Sequence, residues 1–386
     1  MSVLLLATYD TKGEEAAYLM GALQALGVPA ERCDISLHSD GEVWDPKSKL
    51  AGMAAAAGRA IEQIAFAPQQ GRRMVCAIGG GTGGQIALQV LRSLPIEMPK
   101  VMVSTLPFDP RYALADNAIV LVPTMADLTG LNATTRQALD RAAAIVGGLY
   151  HATLSEGRVA ARPSIGVTAL GITAPGIDAL GKRLRRAGHE VTVFHANGFG
   201  GAAFARWCAA GAFRAVVDYT PHELTRLHVA GAHVEMPARF TVYGRLPRVV
   251  LPGGANVIGL GEAALIPEGY RARPHYAHSP LFTHVQCTEE EMARLAGILA
   301  DALLSGDGPA EVLLPMRGFS TEDRDGCAID GPAQREAFAE VMEDRLAGAI
   351  PVRRLPWHVN DRETAAAAAE ALAALMARAK APKEDA

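Results

Sequence analysis

The sequence contains no CxxC pair, and its five cysteines, Cys33, Cys76, Cys208, Cys287 and Cys327, are scattered and odd in number. That excludes a disulfide-built scaffold and a cysteine zinc site, and it fits small buried apolar residues in a reducing cytoplasm. No run of about 18 uncharged apolar residues occurs, so no membrane-spanning helix is expected. Basic residues are not in excess: 37 Lys and Arg stand against 41 Asp and Glu, a net charge of -4. The electrostatic footprint of a nucleic-acid binder is therefore missing. The opening stretch, "VLLLATYD", lacks a signal-peptide layout, which adds to the expectation of a cytoplasmic protein.

What is present is apolar residue in quantity. Apolar residues make up 49% of the 386 and charged residues 20%, enough for a large core and too apolar for disorder. A chain of this length divides into two or three domains at roughly 100–200 residues each. Short apolar runs, "VLLLAT", "RCDIS", "MVCAI", "KVMVS" and "AIVLV", alternate with helical patterns at Glu14–Leu26, Lys49–Phe66, Gly83–Leu94 and Asp127–Leu149. Alternation of this kind predicts a parallel sheet with helices on both faces. A polar stretch from Tyr150 to Pro163 reads as a linker, after which strand and helix patterns resume. Strands are expected at "SIGVTAL", "EVTVFHA", "RAVVD", "RVVLP" and "AEVLLP", with helices at Glu289–Leu304, Pro332–Leu346 and Asp361–Lys380. The fold class expected is α/β, with two Rossmann-like parallel-sheet domains at 1–155 and 163–380.

One loop stands out. Gly79, Gly80, Gly81, Thr82, Gly83 and Gly84 lie between a strand and a helix. Glycine lets a ligand approach the main chain, and a helix N-terminus offers free N–H groups and the positive end of a dipole. Phosphate or carboxylate suits that combination, with Thr82 as an added donor. The plainer alternative is a tight turn. The spacing satisfies GxGxxG at Gly79, Gly81 and Gly84, but the loop follows the third strand rather than the first. The next strand end, "VMVST", carries no acid for a ribose, and Gln85 stands where a Walker lysine would.

Other candidates sit at strand ends, where ligands of parallel sheets bind. Asp10, Thr11 and Lys12 end the first strand. Lys12 is a substitute for the Walker lysine, and Asp10 or Thr11 is alternatively a helix N-cap. In the second half, "FHANGFGGAAF" places His195 and Asn197 at a strand end and Gly198, Gly200 and Gly201 before a helix. Asp218, Thr220, His222 and Glu223 follow the next strand; Thr220 with Glu223 also reads as a capping box, while His and carboxylate suit acid–base work or a divalent metal. His275, His278 and His284 match no zinc spacing. In "WHVND", Asn360 or Asp361 is the expected cap of the last helix, leaving His358 as a candidate.

Taken together, "ATYDTKGEE", "IGGGTGG", "KVMVST", "DLTGLN" with Arg136, "GVTALGITAPGID", "FHANGFGGAA", "PMRGFS" and "HVND" resemble one family over about residues 2–375. It is the family that includes the ATP-binding inhibitor domain of the tomato mosaic virus resistance protein and many bacterial members. The resemblance implies two Rossmann-like subdomains, a homodimer, and ATP bound with magnesium. It matches Asp10, Thr11, Lys12, Gly80, Gly81, Gly83 and Gly84 to the N-terminal motifs, and Gly171, Thr173, His195, Gly198 and Gly201 to the C-terminal ones. The chain departs from the family at "VSTLPFDP", at Gly253 to Asn256, and at His278-Ser279.

The resulting expectation is a nucleotide-binding protein with ligands in an inter-domain cleft. Its cofactor-binding residues are Asp10, Thr11, Lys12, Gly79 to Gly84, Gly198, Gly200 and Gly201. The alternative is a metal-assisted catabolic enzyme acting on a small phosphorylated or carboxylated metabolite, a keto acid or sugar acid. His195, Glu223 and His358 are then its catalytic residues, and no metal ligands are assigned. Because no acid follows the glycine loop at the next strand end, tight NAD binding is not expected. A sub-micromolar NAD affinity measured by calorimetry would show that the loop is a dinucleotide fingerprint after all.

Overall fold

A computed structural model of the chain describes residues 2–38, 42, 44–66, 74–105, 109, 114–155, 163–231 and 234–380. Two compact units divide the chain, Met1–Ala160 and Ala161–Ala386. Part of the linker stretch (156–162) and most of the divergent "LPFDP" (106–108 and 110) lie outside the described residues.

Unit 1 is one parallel sheet of β1 (Val3–Ala7), β2 (Ala30–Asp34), β3 (Met74–Gly79), β4 (Lys100–Ser104) and β5 (Ile119–Pro123), in the order β2-β1-β3-β4-β5. Its central strands are buried at every position. That follows from helix cover on both faces and explains why they read as continuous apolar runs rather than alternating ones. Successive side chains of β1 supply two separate cores, since neighbours on a strand point to opposite faces. Val3, Leu5 and Ala7 pack with Leu19 and Leu23 of the helix Tyr9–Ala25 and with Leu139 and Val146 of the helix Ala133–Ser155. Leu4 and Leu6 pack with Ala56 and Ile64 of the helix Pro46–Phe66 and with Ile86 and Val90 of the helix Gly81–Ser93.

Unit 2 repeats the winding. β6 (Ser164–Ala169), β7 (Val191–His195), β8 (Phe213–Asp218) and β9 (Arg248–Val250) form a parallel sheet that is completed much later in the chain by β13 (Ala310–Pro315) and β14 (Val352–Leu355). Between β9 and β13 the chain builds a small antiparallel sheet from β10 (Val257–Leu260), β11 (His275–Ser279) and β12 (Phe282–Gln286), ordered β10-β12-β11. The large sheet runs β14-β13-β9-β8-β6-β7. In both units the second strand lies outside the first, and the third returns to its other side. The fold is therefore α/β with two Rossmann-like parallel sheets, in the flavodoxin-like variant of the strand order.

The expected strands and long helices are present within a few residues. The first helix is kinked at Lys12 (φ -125°, ψ 24°): a short turn from Tyr9, with Thr8 as its N-cap, carries Asp10 and Thr11, and the continuous helix follows from Gly13, near where the apolar spacing places it. The antiparallel sheet was not expected from the sequence. Among the described residues no helix is long and apolar enough to cross a membrane. All five cysteines are free, and four are buried.

Leu5 is fully buried at the centre of the first core. Leu5→Ala is expected to destabilise the protein by about 2–5 kcal/mol, the usual cost of a buried leucine truncation. A urea denaturation curve with an unmoved midpoint would show that this core is not what holds unit 1 together.

Candidate functional site

In an open parallel sheet the loops of adjacent strands diverge where the winding reverses, and ligands bind in the crevice left at the strands' carboxyl ends. In unit 1 that point lies between β1 and β3, and a cavity of about 510 Å³ opens there. Thr8, Asp10, Thr11 and Lys12 line it from β1, and Gly80, Gly81, Thr82 and Gly83 from β3; Asp127 and the wall of Leu37, Trp44 and Lys49 complete it. The volume falls within the roughly 300–1,000 Å³ of small-molecule sites.

The glycines of the loop divide by role. A Cβ on Gly79 would collide with the backbone of Gly83 and Gly84, and one on Gly83 would press on Thr8. These two allow the strand and helix to pack. Gly81 has nothing within 4 Å of where its Cβ would be, and Gly80 meets only the tips of Thr105 and Asp127. They leave the crevice floor bare. The helix Gly81–Ser93 has no side-chain cap and no acid in its first turn. Its first N–H with a backbone acceptor is that of Gly84, bonded to Gly80 at 2.9 Å. The N–H groups of Gly81, Thr82 and Gly83 find no acceptor among the described residues.

Opposite the glycines, two contacts join motifs far apart in sequence. The Lys12 ammonium donates to the Leu128 carbonyl, and Glu15 accepts from the Gly130 N–H at 2.9 Å. "DTKGEE" and "DLTG" thus form one rim. Lys12 is held at the cavity edge beside Asp127, whose Oδ1 accepts from the Leu128 N–H. Thr11 Oγ1 bonds Thr8 Oγ1 at 2.9 Å, and the Asp10 N–H donates to Ser36 Oγ at 3.2 Å, which leaves the exposed Asp10 carboxylate facing the cavity.

The rim of unit 2 is organised differently. Its glycine loop follows the second strand, at the sheet edge, and not the third. The Gly198 N–H, at φ 113°, donates to Glu223 at 3.1 Å, and a Cβ on Gly201 would strike the same carboxylate. A Cβ on Gly200 would strike the His195 backbone. Gly200 and Gly201 are therefore needed for close packing and Gly198 for its positive φ, and the anion that the Gly198 N–H holds is the protein's own Glu223. Glu223 is fully buried and also ion-paired to Arg239 at 3.2 Å. Arg239 makes two further bonds to Asp218, at 2.8 and 2.9 Å, and its guanidinium lies 5.0 Å from the Phe204 ring and 4.7 Å from that of Phe240. Asp218 also accepts from Thr168 and Tyr243. Burial pushes both acids up; for Asp218 the guanidinium and hydroxyl partners prevail and hold it low, while Glu223 stays raised. With both Glu223 oxygens committed, general acid–base work does not suit it.

The other candidates fall as follows. Thr220 is not a helix cap: its N–H donates to Thr168 and its hydroxyl bonds Thr173 at 2.8 Å, while the short helix Glu223–His228 begins after His222 without side-chain capping. His195 is exposed at the end of edge strand β7, and its pKa is lowered by burial of part of the ring. His358 is buried with both ring nitrogens engaged, Nε2 to the Ser320 carbonyl at 2.9 Å and Nδ1 to the Asn360 N–H at 3.0 Å. A Cβ on Gly318 would hit its ring. The "PMRGFS" and "HVND" motifs thus pack on one another, and His358 holds them together rather than facing a ligand. Asn360 extends the tie to the Ile172 carbonyl at 3.0 Å and the Gly176 N–H at 3.3 Å. Its partners lie nearly two hundred residues away, so no local pattern could announce them. Among the described residues no group of three His, Cys, Asp or Glu side chains is placed to hold a metal.

Two parallel-sheet units, one with an open crevice at its winding reversal, place the chain in the Rossmann-like α/β class. The chain belongs to the UPF0261 family: the family described as "Uncharacterised protein family (UPF0261)" matches by its N-terminal domain over residues 40–155 and by its C-terminal domain over residues 162–376. A UPF0261 protein of Rhizobium meliloti (strain 1021) is 32% identical, covering 96% of this chain and 98% of that one. One from Mesorhizobium japonicum is 31% identical over 95% of this chain and 97% of its own. The ToMV resistance protein Tm-1(GCR237) of Solanum lycopersicum is 28% identical over 86% of this chain, which spans 46% of the tomato protein.

Removing the guanidinium would leave two carboxylates buried without a counter-charge. Arg239→Met is expected to destabilise unit 2 by about 3–5 kcal/mol at neutral pH. The sign with pH follows from linkage. Without Arg239 both acids titrate above their unfolded values, so the variant regains stability as pH falls and the deficit narrows. Denaturation midpoints at neutral and acidic pH measure this; a deficit that widens on acidification would contradict the assignment.

Proposed function

We propose that unit 1 binds a nucleotide, ATP with magnesium, in the crevice between β1 and β3. The observation that carries this reading is the row of three N–H groups at Gly81, Thr82 and Gly83 that find no acceptor among the described residues, presented at a winding reversal over bare glycine. A helix N-terminus of this kind is suited to phosphate. Lys12 and Lys49 line the same cavity and add positive charge, and Leu37 with Trp44 gives an apolar and aromatic wall for a base.

The residues present fit magnesium in the manner nucleotides bring it. Asp10, Glu42 and Asp127 line the cavity along with the hydroxyls of Thr8, Thr11 and Thr82. Magnesium usually takes one or two carboxylates together with substrate phosphates and keeps several waters, so a dedicated protein cage is not required. The metal would shield phosphate charge. The chain's own residues bind and orient: glycine N–H groups hold phosphate oxygens and Lys12 fixes the Leu128 loop against them.

The test is a thermal-shift series with ATP, with and without magnesium, followed by calorimetry. A ligand that binds only the folded state raises the melting temperature by mass action. Gly81→Val places its Cβ on the crevice floor where no protein atom lies within 4 Å, so the fold should tolerate it while ATP affinity falls about tenfold or more, equivalent to about 1.4 kcal/mol. Unchanged affinity in a folded Gly81→Val protein would remove the loop from the site.

A further inference from the structure

The winding reversal of unit 2, between β6 and β8, is covered by the small antiparallel sheet, and histidines meet there. His284 of β12 is central. Around its ring stand His278 at 5.0 Å, Tyr276 at 5.2 Å, Phe282 at 5.3 Å and His222 at 6.4 Å, measured between ring centroids. His222 comes from the loop after β8; from the loop after β6, Gly171 lies so close that its Cβ would be 4.0 Å from His278 Cε1. The Arg226 guanidinium reaches the same place, since a Cβ on Gly259 would stand 2.6 Å from Phe282 and 3.2 Å from Arg226.

Two of these imidazoles are buried and half-used. His222 is 1% exposed and His284 4%. His222 Nδ1 lies 2.9 Å from the Gly254 carbonyl, which only accepts, so Nδ1 carries the proton and Nε2 presents a lone pair. His284 Nδ1 is bonded to the Tyr276 hydroxyl at 2.8 Å. Neither Nε2 has a hydrogen-bond partner among the described residues. A tautomer fixed through Nδ1, with Nε2 left to meet another group, is how proteins present histidine to a ligand or a proton.

The charges that act on these two rings are of one sign. Burial drives His222 down to about 4, with Arg226 and His195 reinforcing the fall and the Gly254 bond opposing it. His284 is driven down to about 3 by burial and then by His222, His278 and Arg226. Two carboxylates border the cluster: Glu223, beside Arg226, is held by Arg239 and Gly198, and Glu322 acts on Tyr276. Among the described residues, the groups that act on the two buried rings are themselves imidazoles and a guanidinium.

We propose that the His222–His284–His278 cluster, with Arg226, binds the oxyanion group of a small metabolite, a carboxylate or a phosphate, and takes up a proton as it does so. The proton comes from solvent and goes to the bare Nε2 of His222, which changes from acceptor to donor toward the anion. The incoming negative charge stabilises the protonated ring, so affinity rises as pH falls.

The experiment uses the full chain with histidines labelled at Cε1 for NMR, together with calorimetry in two buffers of different ionisation enthalpy. Pyruvate and inorganic phosphate are the probes, and they separate the carboxylate from the phosphate source. One of them is expected to shift the resonances of His222, His278 and His284 saturably, with net proton uptake and tighter binding at pH 6 than at pH 8. His284→Gln should weaken binding about tenfold or more. His278 is exposed, so His278→Ala should also weaken it without endangering the fold. ATP binding in unit 1 should be unaffected by either change, which keeps this test separate from the other. The proposal is overturned by the absence of saturable shifts with both anions, by binding without proton uptake, or by a response to zinc alone.

Discussion

Both units are governed by one topological constraint. Crossovers between parallel strands are right-handed, so the direction in which strands are added decides which face each helix covers. When the chain lays its second strand outside the first and then returns to the other side for the third, successive helices fall on opposite faces. The two loops at the reversal must part, and the crevice between β1 and β3 follows from that, whatever side chains occupy it. The sequence decides only what is done with the crevice. In unit 1 the loops end in glycine, threonine and short charged residues, and the cavity stays open. In unit 2 an inserted antiparallel sheet lies over the equivalent point and furnishes it with imidazoles.

The two glycine loops show how similar sequence serves unlike ends. In unit 1 the first helix N–H groups find no acceptor among the described residues, which is tolerable where a crevice opens to solvent. In unit 2 the Gly198 N–H is satisfied by Glu223, which is itself neutralised by Arg239, which in turn holds Asp218. Two acids on one buried guanidinium leave the group short of positive charge. The Phe204 and Phe240 rings stabilise the guanidinium itself, and the deficit falls on Glu223, whose pKa stays raised. Burying so much charge is costly unless every partner is in place, so this network fixes where the strand β8, the loop after it and the start of the helix Phe199–Ala209 must sit.

Much of the fold was legible because parallel strands and their helices write local patterns. "KVMVS" and "AEVLLP" are strands at the expected residues, and the helices Glu289–Leu304 and Pro332–Leu346 keep their expected bounds. The rim of unit 1 was legible for the same reason, since strand-end loops with short polar residues and glycine are a local signal. What escaped was non-local. β11 and β12 carry histidine and threonine where apolar residues would mark a half-buried strand, because their His face is a cluster and not a core. Glu223 reads as a capping-box acid until its contact with Gly198 is seen. His358 reads as a free catalytic histidine until Ser320 and Asn360 close on its ring.

The insertion between β9 and β13 also has a kinetic consequence. Unit 1 pairs its strands in short order along the chain, whereas Arg248 of β9 faces Ala310 of β13, and the antiparallel sheet and the helix Glu289–Leu304 are made in between. The entropy of closing a longer loop grows only slowly with its length, so equilibrium stability is little affected. Rate is another matter, because folding slows as contacting residues lie farther apart in sequence. During synthesis unit 1 completes its sheet while β9 still presents an unpaired edge, and an apolar strand edge waiting for its neighbour is where aggregation begins. Unit 2 is thus the half of the chain whose yield depends on temperature, concentration and chaperone supply.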